Sequence, residues 1–144
     1  MINAAATALQ DHPAFRGLSK ESLIQIQQTC VLLDYQPGQP LTRGDQIPSQ
    51  VLLILSGQAR LLVRHLQRTQ TLRKVGPGEL VGLASIVRVA GCESVTASTP
   101  VQALAMPDEA VLQLLQTEPS FRSFCQQTIW PAELFALLID QTQD

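Results

Sequence analysis

The sequence contains few of the residues on which catalysis and metal binding depend. Its 144 residues include two histidines, His12 and His65, and three cysteines with no Cys-x-x-Cys pair. Neither histidine has a cysteine or carboxylate at a suggestive spacing, and each is interpreted as a surface residue. A metal site in a β-barrel needs clustered histidines with a carboxylate. The sequence therefore predicts a protein that is not an enzyme and has no metal site.

Long apolar runs and an amino-terminal signal are also missing. The longest apolar runs, such as Val51–Leu55, are far shorter than the ~20 residues that a membrane span requires. The start of the chain, MINAAATALQDHP, has no basic segment followed by an apolar core, as a signal peptide would. Three widely spaced cysteines do not make a disulfide framework. We expect a cytoplasmic protein with reduced thiols and no membrane span within this chain.

Length and composition indicate one folded domain, residues 1–144. A chain of this size buries roughly 70% of its unfolded surface, and a hydrophobic content of 45% argues against disorder. The net charge of −2 gives no general reason to expect binding to nucleic acid or membranes.

The first 30 residues are predicted to form a helical lead-in. Ser19 can cap a helix, and Glu21 would lie in its first turn, where the helix dipole favours a negative charge. Apolar residues then recur at helical spacing, which predicts a helix from about 19 to 30.

Short strands are predicted from residue 31 to residue 106. They are separated by turn residues every eight to twelve positions, a pattern typical of an antiparallel sandwich or barrel. After Met106 the helical pattern returns, and the prolines at 107, 119 and 131 each begin a helical segment within residues 107–144.

A glycine-rich stretch, Val75–Thr99, interrupts the strands. It contains Gly76, Gly78, Gly82, Gly91 and a run of small apolar residues. Glycine allows a positive φ and a close approach of the backbone to a ligand, so this stretch suits the capture of an anion or a nucleotide.

The order of the turns resembles that of the cyclic nucleotide-binding domain family. The resemblance runs from HPAFRGLS through the helices after Met106 and rests on the following series: Pro37-Gly38, Gly44-Asp45, Gly57, Gly76-Pro77-Gly78, Gly82 and Val95-Thr96-Ala97. It implies an eight-stranded antiparallel jelly-roll barrel with an N-terminal helical cap and C-terminal helices. It also implies a phosphate-binding cassette, a short helix and loop between two strands, at about residues 82–94.

The cassette lacks the two side chains with which members of the family bind their ligand. The family pattern is Phe-Gly-Glu-Leu-Ala-Leu followed by Arg-x-Ala-Thr-Val-x-Ala, with the glutamate on the ribose and the arginine on the cyclic phosphate. Leu83 stands at the glutamate position, and the arginine position falls on Gly91 or, with a shifted gap, on Cys92 or Glu93. We expect Glu93 to repel an anion there. The resemblance thus implies a cassette that is impaired as a cyclic nucleotide site.

Two other residues bear on this interpretation. Glu79 is assigned to the turn before the cassette, although a second register keeps it as the ribose glutamate and lengthens the cassette loop. Arg88 lies in the cassette and could reach a phosphate, or it could be an ordinary solvated arginine. The cassette residues implied for ligand binding are Gly82, Leu83, Ala84, Ser85, Arg88, Cys92 and Ser94. No cofactor is expected with certainty, and a cyclic nucleotide is disfavoured.

Positive charge is concentrated on one predicted hairpin. No Asp or Glu occurs between Asp45 and Glu79. Half of the ten Lys and Arg residues lie in this interval: Arg60, Arg64, Arg68, Arg73 and Lys74. The hairpin could dock an acidic partner, a membrane surface or a nucleic acid, or it could simply be solvated. It contains no aromatic residue, which weakens an interpretation as a single-strand-binding surface.

The predicted C-terminal helices suggest a partner. The apolar segment 134–139 could pack on its own domain, on a following domain or on a second copy. Transcription factors of the family carry a helix-turn-helix after the barrel, and nothing after Trp130 has room for one, so DNA binding is not expected.

The residues and the resemblance together predict a cytoplasmic regulatory or sensor domain. We expect it to be the N-terminal module of a larger protein, for example an ABC-type exporter, with other domains of that parent as partners. The alternative is an interaction or dimerisation module that uses the basic hairpin and the C-terminal helix, including a homodimer through the C-terminal helices.

Overall fold

Helices flank eight antiparallel strands in the structure, a computed structural model that describes residues 2–89, 91 and 93–128. The helices are α1 (Ile2–Asp11), α2 (Lys20–Thr29), α3 (Leu83–Arg88), α4 (Asp108–Thr117) and α5 (119–128). The strands are β1 (Val31–Tyr35), β2 (Pro40–Thr42), β3 (Gln50–Ser56), β4 (Ala59–His65), β5 (Arg68–Val75), β6 (Leu80–Val81), β7 (Ser94–Ala97) and β8 (Val101–Pro107).

The strands form two four-stranded sheets, in the orders β1-β8-β3-β6 and β2-β7-β4-β5. This arrangement confirms the predicted antiparallel jelly roll with flanking helices. The two sheets are not closed into a barrel, because no strand of one sheet pairs with a strand of the other among the described residues. Among residues 2–89, 91 and 93–128, the outer strands of each sheet therefore have one unpaired edge.

Strand β3 is buried on both faces, which explains its continuous apolar sequence. Leu52 and Ile54 point into the core between the two sheets. Val51 and Leu53 point the other way, into a second core beneath the helices. That second core contains Leu9, Phe15, Val111 and Phe121, contributed by the helical segments before and after the sheets.

The helical segments before and after the sheets are joined at helix termini. The hydroxyl of Ser19 accepts a hydrogen bond from the Ser22 amide at 3.2 Å, as expected of the cap of α2. The carboxylate of Glu118, just after α4, accepts a hydrogen bond from the Ser19 amide at 2.7 Å. The lead-in and the C-terminal helices therefore form one helical layer on β3 and β8.

The helical predictions hold where the structure describes them. Helices α2, α4 and α5 begin close to Ser19, Pro107 and Pro119. Helix α1 lies in a segment for which the sequence predicted no helix boundaries. The helix predicted after Pro131, the apolar segment 134–139 and Cys92 lie outside the described residues. Within the described part, no helix is both long enough and apolar enough to span a bilayer.

Candidate functional site: the cassette between β6 and β7

Gly82 begins the cassette in a conformation that requires glycine. Its φ is +94°, in the left-handed region that disfavours side chains. A Cβ atom at this position would lie 3.1 Å from the carbonyl oxygen of Gln50 on the neighbouring strand. The backbone therefore turns tightly against β3 and leads directly into α3.

Helix α3 points its apolar side chains into the protein. Leu83 is 5% exposed and Ile86 is 3% exposed, and both belong to the core beneath the helices. Ala84 packs on the same core. The side chain at the predicted ribose position is thus a core residue, and it offers no hydrogen-bond acceptor.

The carboxylate of Glu93 lies at the start of α3. It accepts hydrogen bonds from the Gly82 amide, the Ser85 amide and the Ser85 hydroxyl, each at 3.3 Å. Gly82 has no side chain that could cap the helix, so Glu93 fills this role from across the loop. The Glu93 carboxylate thus occupies the place at the start of α3 where the backbone N–H groups converge.

Burial governs the ionisation of Glu93. Loss of solvation raises the pKa of its carboxyl group above the ordinary value. The hydrogen bonds from Gly82 and Ser85, and the positive charge of Arg73, act in the opposite direction, but they do not outweigh burial. The carboxylate therefore forms its contacts at an electrostatic cost.

The second half of the loop is packed against the segment between β2 and β3. A Cβ atom on Gly91 would lie 2.6 Å from both the amide nitrogen and the carbonyl oxygen of Gln46. The hydroxyl of Ser94 accepts a hydrogen bond from the Gly44 amide at 2.8 Å, and the Thr42 hydroxyl donates to the Glu93 carbonyl at 3.0 Å. No side chain fits at Gly91 unless this backbone moves.

Glu79 lies in the turn between β5 and β6, one turn before the cassette. Its carboxylate accepts a hydrogen bond from the Gly76 amide at 2.7 Å and forms an ion pair with Arg73. The Gly78 amide donates to the carbonyl oxygen of Ile54 at 2.8 Å. This geometry agrees with the register in which Gly82 is the cassette glycine, and it makes Glu79 a structural residue of the turn.

The sequence comparison is decisive about the family. A family model described as "Cyclic nucleotide-binding domain" matches residues 32–118, more than half of the chain. The chain belongs to the cyclic nucleotide-binding domain family. No curated protein matches it closely enough to count as a relative.

Solved structures share the fold of this cyclic nucleotide-binding domain. The sensor domain of the transcriptional regulator DNR from Pseudomonas aeruginosa has a TM-score of 0.78 at 16% identity, over 91% of this chain and 89% of that one. A putative cyclic nucleotide-binding protein from Geobacter metallireducens has a TM-score of 0.72 at 18% identity, over 92% and 98%. The regulatory domain of Toxoplasma gondii PKA, crystallised with cAMP, has a TM-score of 0.73 at 14% identity, over 78% and 43%. The chain thus spans less than half of that regulatory domain.

The predicted ligand residues of the cyclic nucleotide-binding cassette do not converge on one cavity wall. Gly82 and Ser85 contact Glu93, whereas Leu83 and Ala84 face the core. Arg88 is the last residue of α3 and is half-buried, and the Ser94 hydroxyl accepts a hydrogen bond from the Gly44 amide. Cys92 lies outside the described residues. A groove of about 300 Å³ lies elsewhere, between α2 and α4, and its lining is uncharged.

Sequence reasoning missed the structural role of His12. Its Nε2 lies 2.8 Å from the carbonyl oxygen of Gly78, 66 residues away, and its Nδ1 accepts a hydrogen bond from the Ala14 amide at 3.0 Å. Its ring also contacts the rings of Phe15 and Phe124. His12 is half-buried and joins the lead-in to the turn before the cassette. No local pattern signals such a contact.

The remaining chemistry of the described residues is sparse. No group of three His, Cys, Asp or Glu residues among them is arranged to hold a metal ion. On the basic hairpin, Arg60 lies opposite Lys74, and Arg68 and Arg73 are exposed. The side chain of Arg64 is not among those described.

Proposed function

We propose that this chain is a non-enzymatic regulatory domain that binds cAMP and cGMP weakly or not at all. In its cassette, the Glu93 carboxylate already accepts the hydrogen bonds of the backbone N–H groups at the start of α3. The observation that carries the proposal is the contact of Glu93 with Gly82 and Ser85 at the start of α3. A cyclic phosphate approaching these N–H groups would meet a group of its own charge.

The ribose side of a cyclic nucleotide would also lack a partner. Leu83 replaces the glutamate of the family pattern, and its side chain is buried in the core. A hydrogen bond to a charged group contributes about 1.5–3 kcal/mol. A nucleotide would therefore lose this contribution and gain no substitute for it.

The phosphate side would lack the arginine of the family pattern. Gly91 has no room for a side chain against Gln46, so an arginine does not fit at that position with the observed loop. If the two losses add, they amount to about 3–6 kcal/mol, or a factor of ~10² or more in affinity. We expect affinities for cAMP and cGMP in the millimolar range or weaker.

Isothermal titration calorimetry with cAMP and cGMP at millimolar concentration tests the proposal. Glu93→Gln serves as the informative variant, because it removes the negative charge and keeps a hydrogen-bond acceptor. We expect no micromolar binding to the wild-type protein, and at most weak binding to the variant, since Leu83 and Gly91 are unchanged. Micromolar affinity of the wild-type protein for either nucleotide would falsify the proposal.

The proposal includes a larger cytoplasmic parent protein, with an ABC-type exporter as the specific candidate. A larger parent is suggested by the Toxoplasma regulatory domain, of which this chain covers only 43%, whereas it covers 98% of the Geobacter protein. Detection of the natural protein by an antibody against this domain provides the test. A species much larger than 15.7 kDa in the membrane fraction supports the exporter, and a species of that mass in the soluble fraction contradicts it.

A further inference from the structure

A pair of like charges lies on the outer face of the second sheet. Arg60 on β4 lies directly opposite Lys74 on β5. The residues next to them, Ala59 and Val75, are buried between the sheets, so Arg60 and Lys74 project to the solvent side. Like charges directly opposite each other on antiparallel strands destabilise the pair.

No carboxylate of the described residues neutralises this pair. The ion pairs in that part of the chain are Arg43–Asp45 and Arg73–Glu79, and neither involves Arg60 or Lys74. Both residues are exposed, as is Arg68 at the other end of β5. Because residues 46–78 contain no Asp or Glu, an anionic group from outside would relieve the repulsion.

Within the part of the chain that the structure describes, strand β5 also has an unpaired backbone edge. It is the last strand in the order β2-β7-β4-β5, and with 8 residues it is longer than the other edge strands β1, β2 and β6. It contains no proline, so each residue has a backbone N–H group. An exposed edge of this kind can accept an added strand, which pairs through its main chain.

From these observations we infer that β5 docks an extended acidic segment of a partner protein. The segment adds a strand beside β5, and its carboxylates lie next to Lys74 and reach toward Arg60 on β4, one strand further into the sheet. A second copy of β5 does not fit this description, because edge-to-edge pairing would bring the cations of both copies together. The inference goes beyond the proposed function and does not depend on the cassette.

Two other anionic partners fit the surface less well. The hairpin has no aromatic side chain on which bases could stack, as single-stranded nucleic acids require. A membrane would need a larger apolar surface than the single exposed Leu66 at the hairpin tip, whose exposed fraction is 64%. A protein strand uses both the charge and the open edge.

The experiment uses the full chain and an eight-residue peptide of alternating Glu and Thr, titrated by calorimetry at low salt. A second peptide of identical sequence carries methyl groups on alternate backbone nitrogens and so cannot complete a β ladder. The protein variants are Arg60→Glu and Lys74→Glu, with Lys20→Glu on α2 as a control of equal charge change. Oligo-dT and vesicles containing phosphatidylglycerol are the competing probes.

We expect saturable binding of the unmodified peptide and slower amide hydrogen exchange within residues 68–75. Each hairpin variant should weaken binding about fivefold to tenfold, whereas Lys20→Glu should change it less than twofold. The methylated peptide should bind at least tenfold more weakly. Equal binding of both peptides, equal effects of Lys20→Glu and Lys74→Glu, or preferential binding of oligo-dT or vesicles would overturn the inference.

Discussion

The carboxylate of Glu118 accepts a hydrogen bond from the backbone amide of Ser19 at 2.7 Å, across 99 residues of sequence. A second contact joins the Ser19 hydroxyl and the other carboxylate oxygen at 3.4 Å. The end of α4 therefore holds the start of α2. This contact links the segments that precede and follow the sheets.

Replacement of Glu118 tests this link. Glu118→Ala removes the acceptor for the Ser19 amide, and we expect the free energy of unfolding to fall by about 0.5–1.5 kcal/mol in urea denaturation. Glu109→Ala, in the first turn of α4 and exposed, is the matched control with a smaller expected loss. Equal losses for the two variants would mean that the contact contributes nothing specific.

The pH dependence of stability tests the position of Glu93. Burial raises its pKa in the folded state above the ordinary value of 4.5, so the folded state binds more protons than the unfolded state in the window above pH 4.5. Its contribution to stability therefore falls as pH rises through that window. Glu93→Gln cannot ionise and should lack this component.

The measurement for Glu93 is urea denaturation of both proteins between pH 4 and 8. We expect the wild-type protein to lose stability relative to Glu93→Gln as pH increases. If the difference in unfolding free energy between the two proteins stays constant with pH, or changes in the opposite direction, the carboxyl group of Glu93 is not buried as described.

The contribution of His12 to the free energy of unfolding should change with pH in the opposite direction, falling as the pH is lowered. Because Nδ1 accepts a hydrogen bond and Nε2 faces a carbonyl oxygen, the ring is held in its neutral form with the proton on Nε2. Burial, with a smaller effect of Arg16, lowers its pKa below 6.5, while the Gly78 contact acts the other way. The unfolded state therefore binds more protons, and stability contributed by His12 is lost as pH falls below 6.5.

Nuclear magnetic resonance titration of the ring protons provides the direct measurement, with His65→Gln used to assign the two histidines. We expect a midpoint for His12 below 6.5 and a weaker acid-induced loss of stability in His12→Gln. A midpoint at or above 6.5 would show that the ring does not form these contacts in solution.

Gly82 should tolerate substitution much less well than Gly38. Both have a positive φ, +94° and +89°, but an added Cβ meets the Gln50 carbonyl oxygen at Gly82 and open space at Gly38. We expect Gly38→Ala to cost about 1 kcal/mol and Gly82→Ala distinctly more, about 2–3 kcal/mol. The two variants compared in one denaturation series separate backbone strain from contact with β3. Equal costs would contradict the close approach.

The short antiparallel strands and the flanking helices were predictable because both depend on local signals, whereas the jelly roll was implied by the family resemblance. Turn residues separate short strands, and proline and serine mark the starts of α2, α4 and α5. The strand pattern left a sandwich and a barrel as alternatives, because barrel closure depends on pairing between strands distant in sequence. The same limit applies to His12, whose partner Gly78 lies 66 residues away.

The candidate site was predicted in part. The residue pattern placed Gly82 at the start of the cassette, and in the structure Gly82 directly precedes α3 with a positive φ. It assigned Glu93 only a repulsive effect, because the fold of the loop decides that this carboxylate reaches Gly82 and Ser85. It assigned Arg73 to a docking surface, whereas the turn between β5 and β6 brings Glu79 against it.

Strand β3 has a consequence for how the domain unfolds. Because Leu52 and Ile54 belong to the core between the sheets while Val51 and Leu53 belong to the core beneath the helices, one strand forms the common wall of both. Neither core can lose β3 without exposing the other to water. Melting of the helical layer and melting of the sandwich are therefore a single cooperative event, and calorimetry of the domain should record one heat-absorption peak.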